Sequence, residues 1–61
     1  MPHNIEKSGF RRGEYVGYGA GTVWRIRRYG DGWSADPRDS TALRRQLGRT
    51  LAELSKKIER T

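Results

Sequence analysis

Thr22-Val23-Trp24-Arg25-Ile26-Arg27-Arg28-Tyr29, then Gly30-Asp31-Gly32, then Trp33-Ser34-Ala35-Asp36-Pro37: this stretch decides the fold. Trp24 and Ile26 alternate with Arg25 and Arg27, the period of a half-buried strand. Asp-Gly between two such runs signals a tight hairpin. With Asp31–Gly32 as a two-residue loop, Gly30 opposes Trp33, Tyr29 opposes Ser34, Arg28 opposes Ala35 and Arg27 opposes Asp36. One face then carries Trp24, Ile26, Trp33, Ala35 and the stem of Arg28; the other carries Arg25, Arg27, Tyr29, Ser34, Asp36 and Arg38. A three-residue loop mixes the faces, and a slip of one residue exchanges core for solvent, so the pattern selects the shorter turn. The Arg27–Asp36 pair is expected to add ~0.2–1 kcal/mol across the strands.

Downstream, Pro37 ends the second strand, and Asp36-Pro37-Arg38-Asp39-Ser40 reads as a turn. Two readings of the remainder stay open. Leu43, Leu47, Leu51, Leu54 and Ile58 fit one amphipathic helix from about Ser40 to Arg60, with Gly48 in its interior at ~1 kcal/mol. Alternatively the chain breaks at Gly48. Leu43, Arg45 and Leu47 then alternate with Arg44 and Gln46 as a third strand, and Thr50 with Glu53 forms a capping box ahead of a shorter helix. The second reading explains Gly48 and Thr50 together and is the more economical.

Upstream, residues 13–21 hold four glycines, and Tyr15, Val16 and Tyr18 make at most a weak strand. The run lacks the Lys-Ser/Thr of a phosphate loop and leads into a β-branched strand rather than a helix, so it is not a dinucleotide fingerprint. Residues 1–12 show no period and read as a flexible tail, leaving residues 13–61 as one small ββ(β)α domain. The expected class is α+β: an antiparallel sheet of two to four strands with a C-terminal helix packed on one face.

Sixty-one residues carry ten Arg and three Lys against seven Asp plus Glu, for a net charge of +6. The excess is largest, +3, over residues 23–47, where the strands also carry both tryptophans. Arginine's planar fork suits phosphates and guanine edges, so the composition points to a polyanion partner. Cysteine is absent, which excludes disulfides and thiolate metal sites. His3 stands alone in the tail, and Asp36 and Asp39 flank a proline as turn residues, so no catalytic or metal constellation is expected and no cofactor. No apolar run approaches the ~20 residues of a membrane span, and Met1–Ser8 lacks an apolar stretch like that of a secretory signal. A cytoplasmic protein with no membrane partner is the expectation.

The order Trp24-Arg25-Ile26-Arg27-Arg28, Gly32-Trp33-Ser34-Ala35, Asp36-Pro37, Leu43-Arg44-Arg45-Gln46-Leu47-Gly48 and Thr50-Leu51-Ala52-Glu53 resembles the arm-type DNA-binding domain of phage tyrosine integrases. It is also similar to the plant ethylene-responsive-factor domain, of the same three-stranded-sheet-plus-helix architecture. The likeness covers residues 23–58, with Asp36-Pro37 following Ala35 sooner than in those families. It implies that the sheet enters the major groove with the helix behind it. Arg25, Arg27, Arg38, Arg44 and Gln46 would then contact DNA, and Tyr29 would rest on sugar or base. Trp24 reads as core. Trp33 and Tyr18 are candidates for stacking or partner contact.

The sequence therefore predicts a basic nucleic-acid-binding module, DNA ahead of RNA, serving a mobile element as accessory or regulator. The alternatives are a small phage- or plasmid-type inhibitor docking on an acidic host protein or nucleoprotein, and an RNA-binding module. With 33% apolar residues the core is thin, so reinforcement by a partner or by homodimerisation is also expected.

Overall fold

The computed structural model describes residues 2–38 and 42–60. Five antiparallel strands form one sheet in sequence order: β1 (Ile5–Lys7), β2 (Tyr15–Gly19), β3 (Thr22–Tyr29), β4 (Gly32–Pro37) and β5 (Gln46–Gly48). A single helix, α1 (Leu51–Arg60), follows and packs on one face. The α+β class stands as expected from sequence, with β1 the strand that the sequence pattern left out.

β3 and β4 form the central hairpin, but its turn falls on Gly30–Asp31, one residue earlier than the Asp-Gly signal implied. Tyr29 pairs with Gly32, Arg28 with Trp33, Arg27 with Ser34, Ile26 with Ala35 and Arg25 with Asp36. Gly30 has φ +57° while Asp31 keeps a negative φ, the sign pattern of a type II′ turn with glycine first. Gly32 pairs with Tyr29 as the first residue of β4, and it must be glycine because a Cβ there would stand 2.5 Å from the Gly48 carbonyl oxygen of β5. The expected Arg27–Asp36 pairing is thereby replaced. The two faces survive, because even positions of β3 still oppose odd positions of β4.

The helix-side face assembles Ile5, Trp24, Ile26 and Ala35 against Leu54 and Ile58, all buried, with Tyr15, Trp33, Leu43 and Leu51 packed around them. The glycines of β2 make the seat for α1. At Gly17 a Cβ would lie 2.8 Å from Ile58 Cδ1, and at Gly19 it would lie 2.7 Å from the Ile58 carbonyl oxygen. At Gly19 the obstacle is helix backbone, so the close approach of helix to sheet needs a side-chain-free position there; at Gly17 it is the ends of the Ile58 and Ile26 side chains, which can shift.

β2 and β3 are joined by Ala20–Gly21, both with positive φ (52° and 74°), the signs of a type I′ turn. Ala20 is the sole non-glycine residue with positive φ among the described residues, and its Cβ makes that region costly. Replacing Ala20 with Gly or Asn is expected to raise stability by about 0.5–1 kcal/mol. A urea melt checks this, and unchanged or lowered stability would refute it.

Residues 4–7 correct the expectation of a tail over residues 1–12. Ile5 is 3% exposed, and Asn4 Nδ2 donates to the carbonyls of Tyr18 (3.0 Å) and Ser55 (3.4 Å). Ser55 Oγ in turn donates to Asn4 Oδ1. His3 Nε2 lies 2.8 Å from Glu59 Oε1 at the far end of α1. A three-residue edge strand with one apolar side chain is too short to show a period.

At the C-terminal side the broken reading holds. Thr50 Oγ1 accepts the Glu53 N–H at 3.1 Å and caps α1, while the Glu53 carboxylate turns to Lys57 at 3.3 Å instead of closing the box. The third strand is shorter than Leu43–Leu47 and of opposite parity. Leu47 faces away from the helix, 47% exposed, and Gln46 sits in the helix-side row beside Ala35. Lys57 Nζ, donating to the Leu47 carbonyl, holds β5 to the helix. The turn reading of Asp39 and Ser40 lies outside the described residues.

Candidate nucleic-acid interface

Among the described residues no helix covers the second face of the sheet. Its rows follow from the ladder: Glu6, Val16, Arg25 and Asp36 lie side by side, as do Arg27, Ser34 and Leu47, with Tyr18 beside Val23 and Tyr29 beside Gly32. Ser34 is buried between Arg27 and Leu47, so this face is shielded at its centre by long side chains lying over it.

Arg25 and Arg27 stand here two residues apart on one strand, as alternation requires. The Arg25 guanidinium meets Glu14 at 3.2 Å, whereas Arg27 has no ion pair among the described residues. Tyr29 is 56% exposed at the hairpin end, and the Arg45 guanidinium stands 5.9 Å from its ring centroid. Arg45 also reaches Asp36 at 2.7 Å, and that carboxylate pushes the guanidinium pKa further above its already high ordinary value. Tyr18 donates to Glu6 at 2.8 Å, and this hydrogen bond raises its hydroxyl pKa above the usual range. The Tyr18–Glu6 and Arg45–Asp36 contacts lie at the surface, where solvent weakens such pairs, so a phosphate can compete with these carboxylates.

Arg38 follows β4 directly, is exposed, and lines a groove with Val16, Val23 and Arg25 of the same face. Arg44 is exposed ahead of β5, its carbonyl accepting Gln46 Nε2 at 3.2 Å. Gln46, half-buried on the helix side, does not join the set. Trp33 is also drawn to the helix side: Tyr15 meets it edge-on at 5.3 Å and Arg28 lies 5.0 Å over its ring. Trp24 is fully buried and donates its indole N–H to the Gly19 carbonyl at 2.9 Å.

The structure thus gathers Arg25, Arg27, Tyr29 and Tyr18 on one face with Arg38 at its margin, leaves Arg44 outside the strands, and places Gln46 and Trp33 on the helix side, Trp33 half-buried. It adds Arg45, which sequence alternation had grouped with Leu43 and Leu47 on the core side. The reversed parity of β5 brought it round, and Asp36 is the partner that holds it. No protein-family model, no curated protein and no solved structure matches the chain.

Proposed function

We propose that the chain is a nucleic-acid-binding module that engages duplex DNA through the open face of its sheet, as an accessory or regulatory protein of a mobile element. The observation that carries this reading is a sheet face with no helix over it among the described residues, bearing Arg25, Arg27 and Arg45, of which Arg27 has no ion pair among those residues, in a chain of net charge +6. A short antiparallel ribbon fits the major groove, where guanidiniums neutralise phosphates and read guanine edges. The order β3–β4–β5–α1, with the helix behind the sheet, supports the same mode of entry.

A salt titration of binding to duplex DNA tests the reading. Affinity is expected to fall steeply with salt, and Arg27→Ala is expected to reduce the slope of log K against log salt by about 0.9, one released counter-ion. Absence of binding at low salt sinks the proposal. A second reading is favoured by Leu47, which lines an open groove with Tyr29, Trp33 and Gly48: a small inhibitor seated on an acidic host protein. That reading predicts salt-tolerant binding to a protein, weakened by Leu47→Asp rather than by Arg27→Ala.

A further inference from the structure

The β1–β2 connection is built as a closed loop, not as slack chain. The Ser8 N–H donates to the Glu14 carbonyl at 3.0 Å and shuts its base. Ser8 Oγ accepts the N–H groups of Phe10 (3.2 Å) and Arg11 (3.4 Å), and Gly13 turns the chain with φ +75°. The loop holds Phe10 out in solvent, 98% exposed. A lone exposed ring is ordinary on a protein surface. What surrounds this one is not: it borders a groove of about 280 Å³ between the loop and the open face, into which Arg11, Arg25 and Arg38 also face, with Val16 and Val23 along the wall.

Glu14 organises the charge. Its side chain is 17% exposed, and it holds Arg25 at 3.2 Å and Arg11 at 3.9 Å. Among the described residues, three guanidiniums against one carboxylate leave two positive charges in excess at the groove. We propose that this groove takes one unpaired nucleotide of a nucleic-acid strand, its base against Phe10 and its phosphate among Arg11, Arg25 and Arg38. The inference rests on the nucleic-acid reading of the sheet face and names a subsite beside it. Guanidinium forks select phosphate, and a free aromatic ring offers a π-face that every base can stack on. Inside a duplex both faces of a base are already stacked, so only a base that has left the helix can meet a ring held in a groove. The volume, just below the ~300–1,000 Å³ of small-ligand pockets, suits a single nucleotide and is too small for a duplex.

The test compares the full chain on two labelled duplexes of the same sequence, one perfect and one with a single-nucleotide bulge, by fluorescence anisotropy at one low salt concentration. The bulged duplex is expected to bind about tenfold tighter, the effect of one stacked base. Phe10→Ala is expected to erase the preference while changing affinity for the perfect duplex by less than about twofold, and Phe10→Tyr, which keeps a ring, to retain it. Arg38→Ala is expected to weaken the bulged complex more than the perfect one. Equal wild-type affinity for both duplexes, or a preference that persists in Phe10→Ala, overturns the subsite and leaves the sheet-face reading standing. Binding to neither duplex overturns both.

Discussion

Trp24→Ala is expected to leave the chain unfolded at room temperature. The side chain is wholly buried at the centre of the sheet, between Gly17 of β2 and Pro37 of β4, and is the largest residue in the core. Truncating a buried tryptophan costs about 3–5 kcal/mol, through lost transfer energy and the cavity left behind. A domain of 61 residues has a total stability of roughly 3–9 kcal/mol. The loss is therefore comparable with the whole. Trp24→Phe separates the packing from the hydrogen bond: most apolar volume stays, while the Gly19 carbonyl loses its indole donor. That variant is expected to fold with a loss of about 1–3 kcal/mol. Urea melts followed by far-UV circular dichroism read both, with Trp33 as the remaining fluorophore. A cooperative melt of Trp24→Ala within ~1 kcal/mol of wild type would show that the core does not depend on this ring.

Gly19→Ala is expected to be nearly as damaging, although it adds only one methyl group. The new Cβ would lie 2.7 Å from the Ile58 carbonyl oxygen, 2.9 Å from the Ile58 carbonyl carbon and 3.2 Å from the Glu59 nitrogen. These are helix backbone atoms, which cannot rotate aside as a side chain does. α1 must lift off β2, opening the contact that buries Ile58 and Leu54. The expected cost is about 3 kcal/mol, the upper part of the range for overpacking. Gly9→Ala is the control, since a Cβ there meets nothing within 4 Å. Thermal melts of the two variants side by side test the point. Equal midpoints would mean that helix and sheet are less closely packed at Gly19 than these distances require.

Much of the fold was legible in local pattern. The alternation of Trp24 and Ile26 with Arg25 and Arg27 needs no tertiary information: period two puts one pair inward and the other outward. Thr50 and Glu53 likewise marked a helix start from chemistry that operates within one turn. The candidate interface was legible to the same extent, because Arg25, Arg27 and Tyr29 share a face by parity alone. Arg45 and Gln46 were not. A three-residue strand carries too few positions to set its own parity, so pairing with Trp33–Ala35 decided which way each points. Phe10 was invisible as a site residue for a related reason. Its loop is closed by hydrogen bonds to Ser8 that leave no periodic trace.

The glycines mark the division most clearly. Read locally, Gly17 and Gly19 only weaken a strand, since glycine gives up the most backbone entropy and offers nothing to pack. In the folded chain they admit α1 against β2, and at Gly19 the helix backbone comes closer than a side chain would permit. Sequence by itself determined the alternating hairpin, the capped helix, the basic charge and the sidedness of β3, all set by interactions within a few residues. Tertiary structure alone decided the turn register at Gly30–Asp31, the recruitment of Ile5 into the sheet, the orientation of β5 and the groove beside Phe10. Each of those depends on steric fit between segments distant along the chain, which is evaluated only when the segments meet.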